Sequence, residues 1–263
     1  MTVSIEQRER MPAIANQSVL ILGGSSGLGY GVAQLALTQH MRIFISSSSP
    51  ERVSNAIDSL RKEFPASSID GFPCDLKSPN VESNLENLFV NIIAVNNGQL
   101  LDHVVFTAGD KLATKALSEI DIDFIRTAGQ VRFIAPLLVG KLALRFINQS
   151  YKSSFTITNG VVAKKPQPDW SVVTGYMAGL EGMVRNLALD LKPVRVNLVT
   201  PGFVDTELWG TGEERKSLVE ALSKKAFQGR VASAQEVAEA YLYLLKDTNA
   251  TGAVVTTDGG YLL

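Results

Sequence analysis

The run Gly23-Gly24-Ser25-Ser26-Gly27-Leu28-Gly29 is the first stretch of this chain whose residue types and spacing can do chemistry. It separates an apolar run, Ser18–Leu22, from a segment in which Leu28, Val32, Leu35 and Ala36 share one helical face. Glycines in such a strand-to-helix turn let a charged group approach the backbone, and the free N–H groups of the helix start face an anion. The pattern predicts a pyrophosphate cradle that uses Gly23, Ser25, Ser26, Gly27 and Leu28. Three later segments suit the same dinucleotide. Asp75-Leu76 closes a strand, where a carboxylate can accept from an adenine amino group. Thr107-Ala108-Gly109 closes another, at the carboxyl edge where open α/β sheets bind ligands. Pro201-Gly202-Phe203-Val204-Asp205-Thr206 follows a third and offers Thr206 and backbone groups, Val204 among them, to a carboxamide.

The run Ser46-Ser47-Ser48-Ser49-Pro50-Glu51-Arg52 bears on which dinucleotide binds. An NAD site needs a carboxylate here for the ribose 2′-hydroxyl, and that charge repels a 2′-phosphate. The second strand ends without one. Ser47, Ser48, Ser49 and Arg52 stand there instead, which favours NADPH/NADP+. The plainer reading of the same serines is a solvated helix start with Ser as its cap. His40 follows the first helix and His103 starts a strand, so surface or capping roles are expected for both. Cys74 reads as core.

The elements that must position these groups alternate as β-α units, which implies a parallel sheet. Strands are predicted at Ser18–Leu22, residues 42–45, 69–74 and 103–107, Ser154–Thr158, and residues 194–199 and 253–256. Helices are predicted over residues 50–62, through Val81, Leu85, Leu88, Phe89 and Ile92, over 120–147 and over 172–191. Ser233 and Glu236 form a capping box for a last helix carrying Val237, Tyr241 and Leu244. Residues 1–16 read as an N-terminal extension and 17–263 as a single domain. Within it, residues 207–230 form a polar helix bracketed by Gly210, Gly212 and Gly229, a candidate lid.

Composition narrows the classes. Lys plus Arg number 25 and Asp plus Glu 26, so no net field draws nucleic acid or an anionic membrane. One cysteine excludes an internal disulfide and suits a reducing compartment. The charged N-terminal stretch is not a secretory signal, and no segment approaches the roughly 18 apolar residues of a membrane span. A cytoplasmic protein is the expectation.

Taken in order, the glycine-rich turn, Asp75-Leu76, Thr107-Ala108-Gly109, Pro201–Thr206 and Asp258-Gly259-Gly260 resemble the short-chain dehydrogenase/reductase superfamily across nearly the whole chain. The resemblance implies a doubly wound Rossmann domain of α/β class, with seven parallel strands flanked by helices. It also implies a homodimer or homotetramer, joined through the helices at 120–147 and 172–191. Leu137, Leu138, Leu142 and Leu144 supply apolar surface beyond one narrow stripe.

In the resembled family an Asn-Ser-Tyr-Lys tetrad handles the proton. The register of Leu180-Glu181-Gly182 and Leu187-Ala188-Leu189-Asp190-Leu191 puts Val173 on the Tyr and Met177 on the Lys. Asn159 falls on the Ser and Arg132 on the Asn. Tyr176, on the same helix, is turned away from the slot's face. Arg132 can supply a fixed positive charge near ribose or substrate, or form a structural ion pair. Asp169 and Trp170 lie in a loop with Pro166 and Pro168 that covers the substrate in the resembled fold. Asp169 reads either as a helix cap or as an anion beside an aromatic surface, suited to a cationic or indole-like substrate.

These replacements also resemble a fungal subgroup from the malbrancheamide and paraherquamide indole alkaloid pathways. That resemblance implies an NADPH-dependent reductase of a cyclic iminium which also shapes its product for an intramolecular [4+2] cycloaddition. It assigns roles in this chemistry to Arg132 and Asp169; Trp170, read from its place beside Asp169, offers a π surface to a polycyclic, indole-containing cation. Two other classes fit the residues: a cofactor-binding sensor or scaffold without turnover, and a carbonyl reductase using Tyr176 or Asp169.

Overall fold

The β-branched and aromatic residues of the apolar runs pair into one parallel sheet, buried on both faces as crossover helices require. The computed structural model describes residues 13–263. The expected extension over residues 1–16 therefore lies mostly outside the described residues; residues 13–16 form a turn, with Ile14 packed into the core. The sheet contains β1 (Ser18–Leu22), β2 (Arg42–Ser47), β3 (Ile69–Pro73), β4 (His103–Phe106), β5 (Ser154–Thr158), β6 (Arg195–Pro201) and β9 (Val254–Thr257). A separate two-stranded ladder joins β7 (Val204–Asp205) to β8 (Ala232–Ser233). The order in the large sheet is β3-β2-β1-β4-β5-β6-β9. Direction reverses between β1 and β4, and the crevice at such a switch point is where doubly wound folds bind ligands.

Helices cover both faces. Against one lie α3 (Val81–Val95), α5 (Ala135–Phe146) and α6 (Ser171–Asp190), packing Leu85, Val139 and Leu180 onto Leu20, Phe44 and Phe155. Against the other lie α1 (Gly27–Thr38), α2 (Pro50–Glu63) and α8 (Ala234–Lys246), packing Val32, Leu60 and Tyr241 onto Val19, Ile21 and Ile43. α4 (Ile122–Ala128) and α7 (Gly212–Ser223) complete the helices. The capping box predicted at Ser233 and Glu236 is present at the start of α8. β2 and β6 run two residues further than their apolar patterns, because Ser47 pairs with Pro73 and Pro201 with Thr257.

The helix expected over residues 120–147 is broken. Between α4 and α5 the backbone forms a π-helical turn, Gln130–Ile134. Pro136, at the start of α5, has no N–H to return to the carbonyl of Arg132, so the regular ladder opens there. That opening sets where Arg132 points. On the outer face of α5, Leu137 and Leu144 are exposed, while Leu142 is buried.

His103 departs from its expected surface role. It is fully buried, with Nδ1 2.8 Å from Ser154 Oγ and Nε2 2.7 Å from Gln17 Oε1. The Gln oxygen only accepts, so Nε2 carries the proton and Nδ1 accepts from the Ser hydroxyl, a neutral ring. Burial lowers its pKa to about 3. Unfolding restores the ordinary value near 6.5, so the unfolded chain binds one more proton between those limits. Stability is then fully present above pH ~6.5 and falls by about 1.4 kcal/mol per pH unit as pH drops toward 3. In urea titrations His103→Gln is expected to flatten this window; an unchanged pH slope would show that His103 does not cause it. His40 is exposed with a left-handed φ of 58°, closing the turn after α1 as a capping residue should.

Candidate active site

A cavity of about 890 Å³ opens at the carboxyl ends of β1, β4, β5 and β6. Its floor is the turn between β1 and α1. A Cβ at Gly23 would lie 2.6 Å from Ala108 N, and one at Gly29 would overlap Gly23 O and Thr107 Oγ1. Only glycine allows β1, β4 and α1 to close this far. Ser26 sits at the helix cap in an extended conformation, its side chain makes no capping bond, and the first turn of α1 holds no acid. Its N–H groups are therefore available to an anion, at the positive end of the helix dipole. Gly23, Ser25, Ser26, Gly27 and Leu28 all line the cavity, so the local geometry fits a pyrophosphate.

The adjoining rim is built by β2 and β3. Ser47, Ser48 and Arg52 line it, and Arg52 Nη2 donates to Ser48 Oγ at 2.6 Å. Ser49 lies outside the lining and caps α2, accepting from Arg52 N at 3.3 Å. Within the serine run, Ser49 is thus the helix cap, while Ser47 and Ser48 face the cavity. Asp75 and Leu76 line the cavity, with Asp75 Oδ1 accepting from Lys77 N at 2.9 Å. Cys74 also borders it, buried, with burial raising its thiol pKa to about 11. It stays a protonated wall residue rather than a nucleophile. Thr107, Ala108, Gly109, Val204 and Thr206 complete the predicted lining.

At the far end the π turn brings Arg132 against Gly109, whose Cβ would lie 2.8 Å from the guanidinium nitrogens. Arg132 donates to the carbonyl of Asp110, and its Nε lies 3.3 Å from Asp110 Oδ1. The Nε contact is an ion pair without hydrogen-bond geometry. Burial lowers the guanidinium pKa and the Asp110 charge opposes this, so the cation is retained. Arg132 therefore forms the structural ion pair and also lines the cavity. Tyr176 points away, donating to Ile125 O at 3.0 Å and tilting on Phe133.

Val173 and Met177, with exposures of 2 % and 4 %, form a small apolar cluster with Val162; Trp170 and Leu112 pack against it. Met177 is the one α6 residue on the cavity wall. Asn159, at the end of β5, is buried beside it.

The loop before α6 separates Trp170 from Asp169. Trp170 lines the cavity. Asp169 is exposed with a left-handed φ of 65°, and its carbonyl accepts from Lys115 N. Trp170 occupies the cap position of α6 without a side-chain bond, so the Asp169 carboxylate neither caps the helix nor lines the cavity.

Tyr261 lies far away in sequence. Gln167 Nε2 donates to its hydroxyl at 3.1 Å, Lys165 Nζ lies 4.5 Å from its ring centre, and Phe203 meets it edge-on at 5.0 Å. Phe203 in turn tilts on Trp209, at the root of the candidate lid. The lid is tied down by Arg215 Nε to Asp205 Oδ1 at 2.7 Å. Asp110, Tyr261 and Trp209 were not predicted as site residues. Nothing local marks the first two; the aromatic spacing of Phe203 and Trp209 was the available signal for the third.

Residues 11–263 match the family of SDR-like Rossmann domains. The chain is 43% identical over 257 residues to the short-chain dehydrogenase/reductase fsr5 of Gibberella fujikuroi, spanning 95% of this chain and 96% of that protein. It is 39% identical over 262 residues to the short-chain dehydrogenase/reductase malC of Malbranchea aurantiaca, spanning 97% and 98%. A solved structure named MalC reductase/Diels-Alderase, from the same organism, superposes with a TM-score of 0.88. That match has 40% identity and covers 94% of this chain and 96% of the other.

Proposed function

The chain belongs to the short-chain dehydrogenase/reductase family, and from that premise we propose that it is an NADPH-dependent reductase of a cyclic iminium in fungal indole alkaloid biosynthesis. One observation carries the reading: α6 presents Met177 to the cavity, and Val173 is buried among apolar neighbours. Those are the positions where the resembled family holds its Tyr and Lys. NADPH supplies hydride when bound. A ketone that gains hydride becomes an alkoxide and needs a proton; an iminium that gains hydride becomes a neutral amine and needs none. A helix that offers no proton donor at those positions suits the second substrate. The likeness to MalC supports the same class, and extends the proposal to an intramolecular [4+2] cycloaddition for which a shaped cavity supplies proximity alone.

In this reading Ser25, Ser26 and the N–H groups of α1 hold the pyrophosphate, and Asp75 takes the adenine amino group. Arg132, fixed by Asp110, holds positive charge beside the ribose. Trp170 offers a π face to a cationic ring. Asp169 acts on the cation once the loop turns its carboxylate inward. The protein works as a homodimer or homotetramer built on α5 and α6, a state that sedimentation velocity reads directly. The deciding experiment is cofactor consumption with a cyclic iminium against matched ketones. A sensor without turnover consumes NADPH with neither. A carbonyl reductase prefers the ketone, and Tyr261, on the cavity wall, is then the hydroxyl to mutate rather than Tyr176.

The cofactor preference has its own test. Ser48 and Arg52 share a hydrogen bond at the rim where a 2′-phosphate would lie. Ser48→Asp places a carboxylate there, and repulsion is expected to weaken NADPH by about tenfold while leaving NADH nearly unchanged. Equal affinities of the native protein for the two cofactors in direct titration would remove the assignment.

A further inference from the structure

Asn159 is 5 % exposed, yet neither Oδ1 nor Nδ2 has a hydrogen-bond partner among the described residues. Its backbone N–H donates to Val199 O at 2.8 Å, which fixes the residue to β6. Asn159 lines the cavity together with Val161, Val162 and Met177, whose side chains are apolar. A buried carboxamide left open on both atoms is costly unless a ligand or water completes it. Arg132, a cation on the same cavity wall, is engaged by Asp110.

A carboxamide edge presents a donor and an acceptor side by side in one plane. Its complement is another edge with the same pair reversed, as a cis secondary amide has. Such an edge matches Asn159 in either rotamer of the side chain. A carboxylate, an ester, a ketone or a tertiary amide only accepts, and leaves Oδ1 unpaired. We propose that Asn159 determines specificity in this site, and that the substrate presents to it the edge of a lactam. The lactam C=O accepts from Nδ2 while its N–H donates to Oδ1. The inference rests on the reading of the cavity as a substrate site and names a second functional group of that substrate. The nicotinamide carboxamide carries the same kind of edge. The 201–206 loop, with buried Thr206, is the expected place for that group, leaving Asn159 to the substrate.

Calorimetry with the NADP+-loaded protein tests this with 4-phenylpiperidin-2-one and its N-methyl derivative, which lacks the N–H. The native protein is expected to bind the lactam about tenfold more tightly than the N-methyl form. Asn159→Leu should bind both alike, with NADP+ affinity unchanged. Asn159→Val, also without a polar side-chain atom and suited to the end of a strand, should lose the lactam preference too, and covers the case in which the Leu variant does not fold. The absence of a preference in the native protein, whether both probes bind alike or neither binds, overturns the proposal. So does a preference that survives either substitution. A comparable loss of NADP+ affinity in either variant assigns the edge to nicotinamide and overturns it as well. The readout is binding, so failure of iminium turnover leaves it standing and its own failure leaves the iminium reading intact.

Discussion

Supplied with NADPH and 3,4-dihydroisoquinolinium, the protein is expected to oxidise cofactor about 10²–10⁴-fold faster than with 1-tetralone, the range that general acid catalysis contributes. The two substrates present similar fused rings, so shape does not separate them; the need for a proton does. With Met177 as the α6 residue on the wall, and Tyr176 hydrogen-bonded to Ile125, that helix offers nothing to protonate an alkoxide. The double change Val173→Tyr with Met177→Lys is the converse. It should leave iminium turnover no faster, because no proton is limiting. It should also destabilise the protein, since the apolar cluster with Val162 must then admit a hydroxyl and a charge. A large gain on the iminium from that change, or equal native rates on both substrates, would sink the proposal. Asp169→Asn refines the result: slower turnover with NADPH affinity intact supports a carboxylate that moves in over the substrate, and full activity removes Asp169 from the chemistry.

Gly29→Ala should cost about 100-fold or more in NADPH affinity. The added Cβ would overlap Gly23 O and Thr107 Oγ1, with Gly23 C only 2.7 Å away. These are backbone and a hydrogen-bonded side chain, Thr107 Oγ1 donating to Leu22 O at 2.9 Å, so relief requires the β1–α1 turn to open. Opening misaligns the N–H groups that meet the pyrophosphate, and two charge-assisted bonds at about 1.5–3 kcal/mol each give that loss. Overpacking should also lower stability by about 1–3 kcal/mol. Gly182→Ala in α6, where the new methyl meets nothing within 4 Å, is the control. It is expected to be neutral or stabilising by up to about 1 kcal/mol. Near-native NADPH binding in Gly29→Ala would show that this turn does not hold the cofactor.

How far each feature was legible depended on its range. The seven strands and the capping box were readable because their signals are local: apolar alternation, turn residues, and Ser233 three residues before Glu236. The cofactor end was readable for the same reason, since its contacts close successive strands at one edge of a sheet whose order follows from right-handed crossovers. Ser49 was the exception at this end: the serine run is uniform, and only the path of α2 separates the cap from the rim.

At the substrate end the residue types were visible but their roles were not. Arg132 points at Asp110 because Pro136 opens the helix into a π turn, and the sequence alone suggested an unbroken helix. Asp169 and Trp170 are adjacent, yet a left-handed φ exposes one and leaves the other on the cavity wall. His103 is a core residue because Gln17 and Ser154 reach it across the sheet. Tyr261 joins the wall by meeting Gln167 across 94 positions of chain. The sequence determined the fold class and the cofactor cradle, since repeats of two and 3.6 residues and a glycine-rich turn act on their own neighbours. The tertiary structure alone decided which polar groups were paired, which were exposed and which, like Asn159, were left open to a ligand, because pairing depends on distances between segments far apart along the chain.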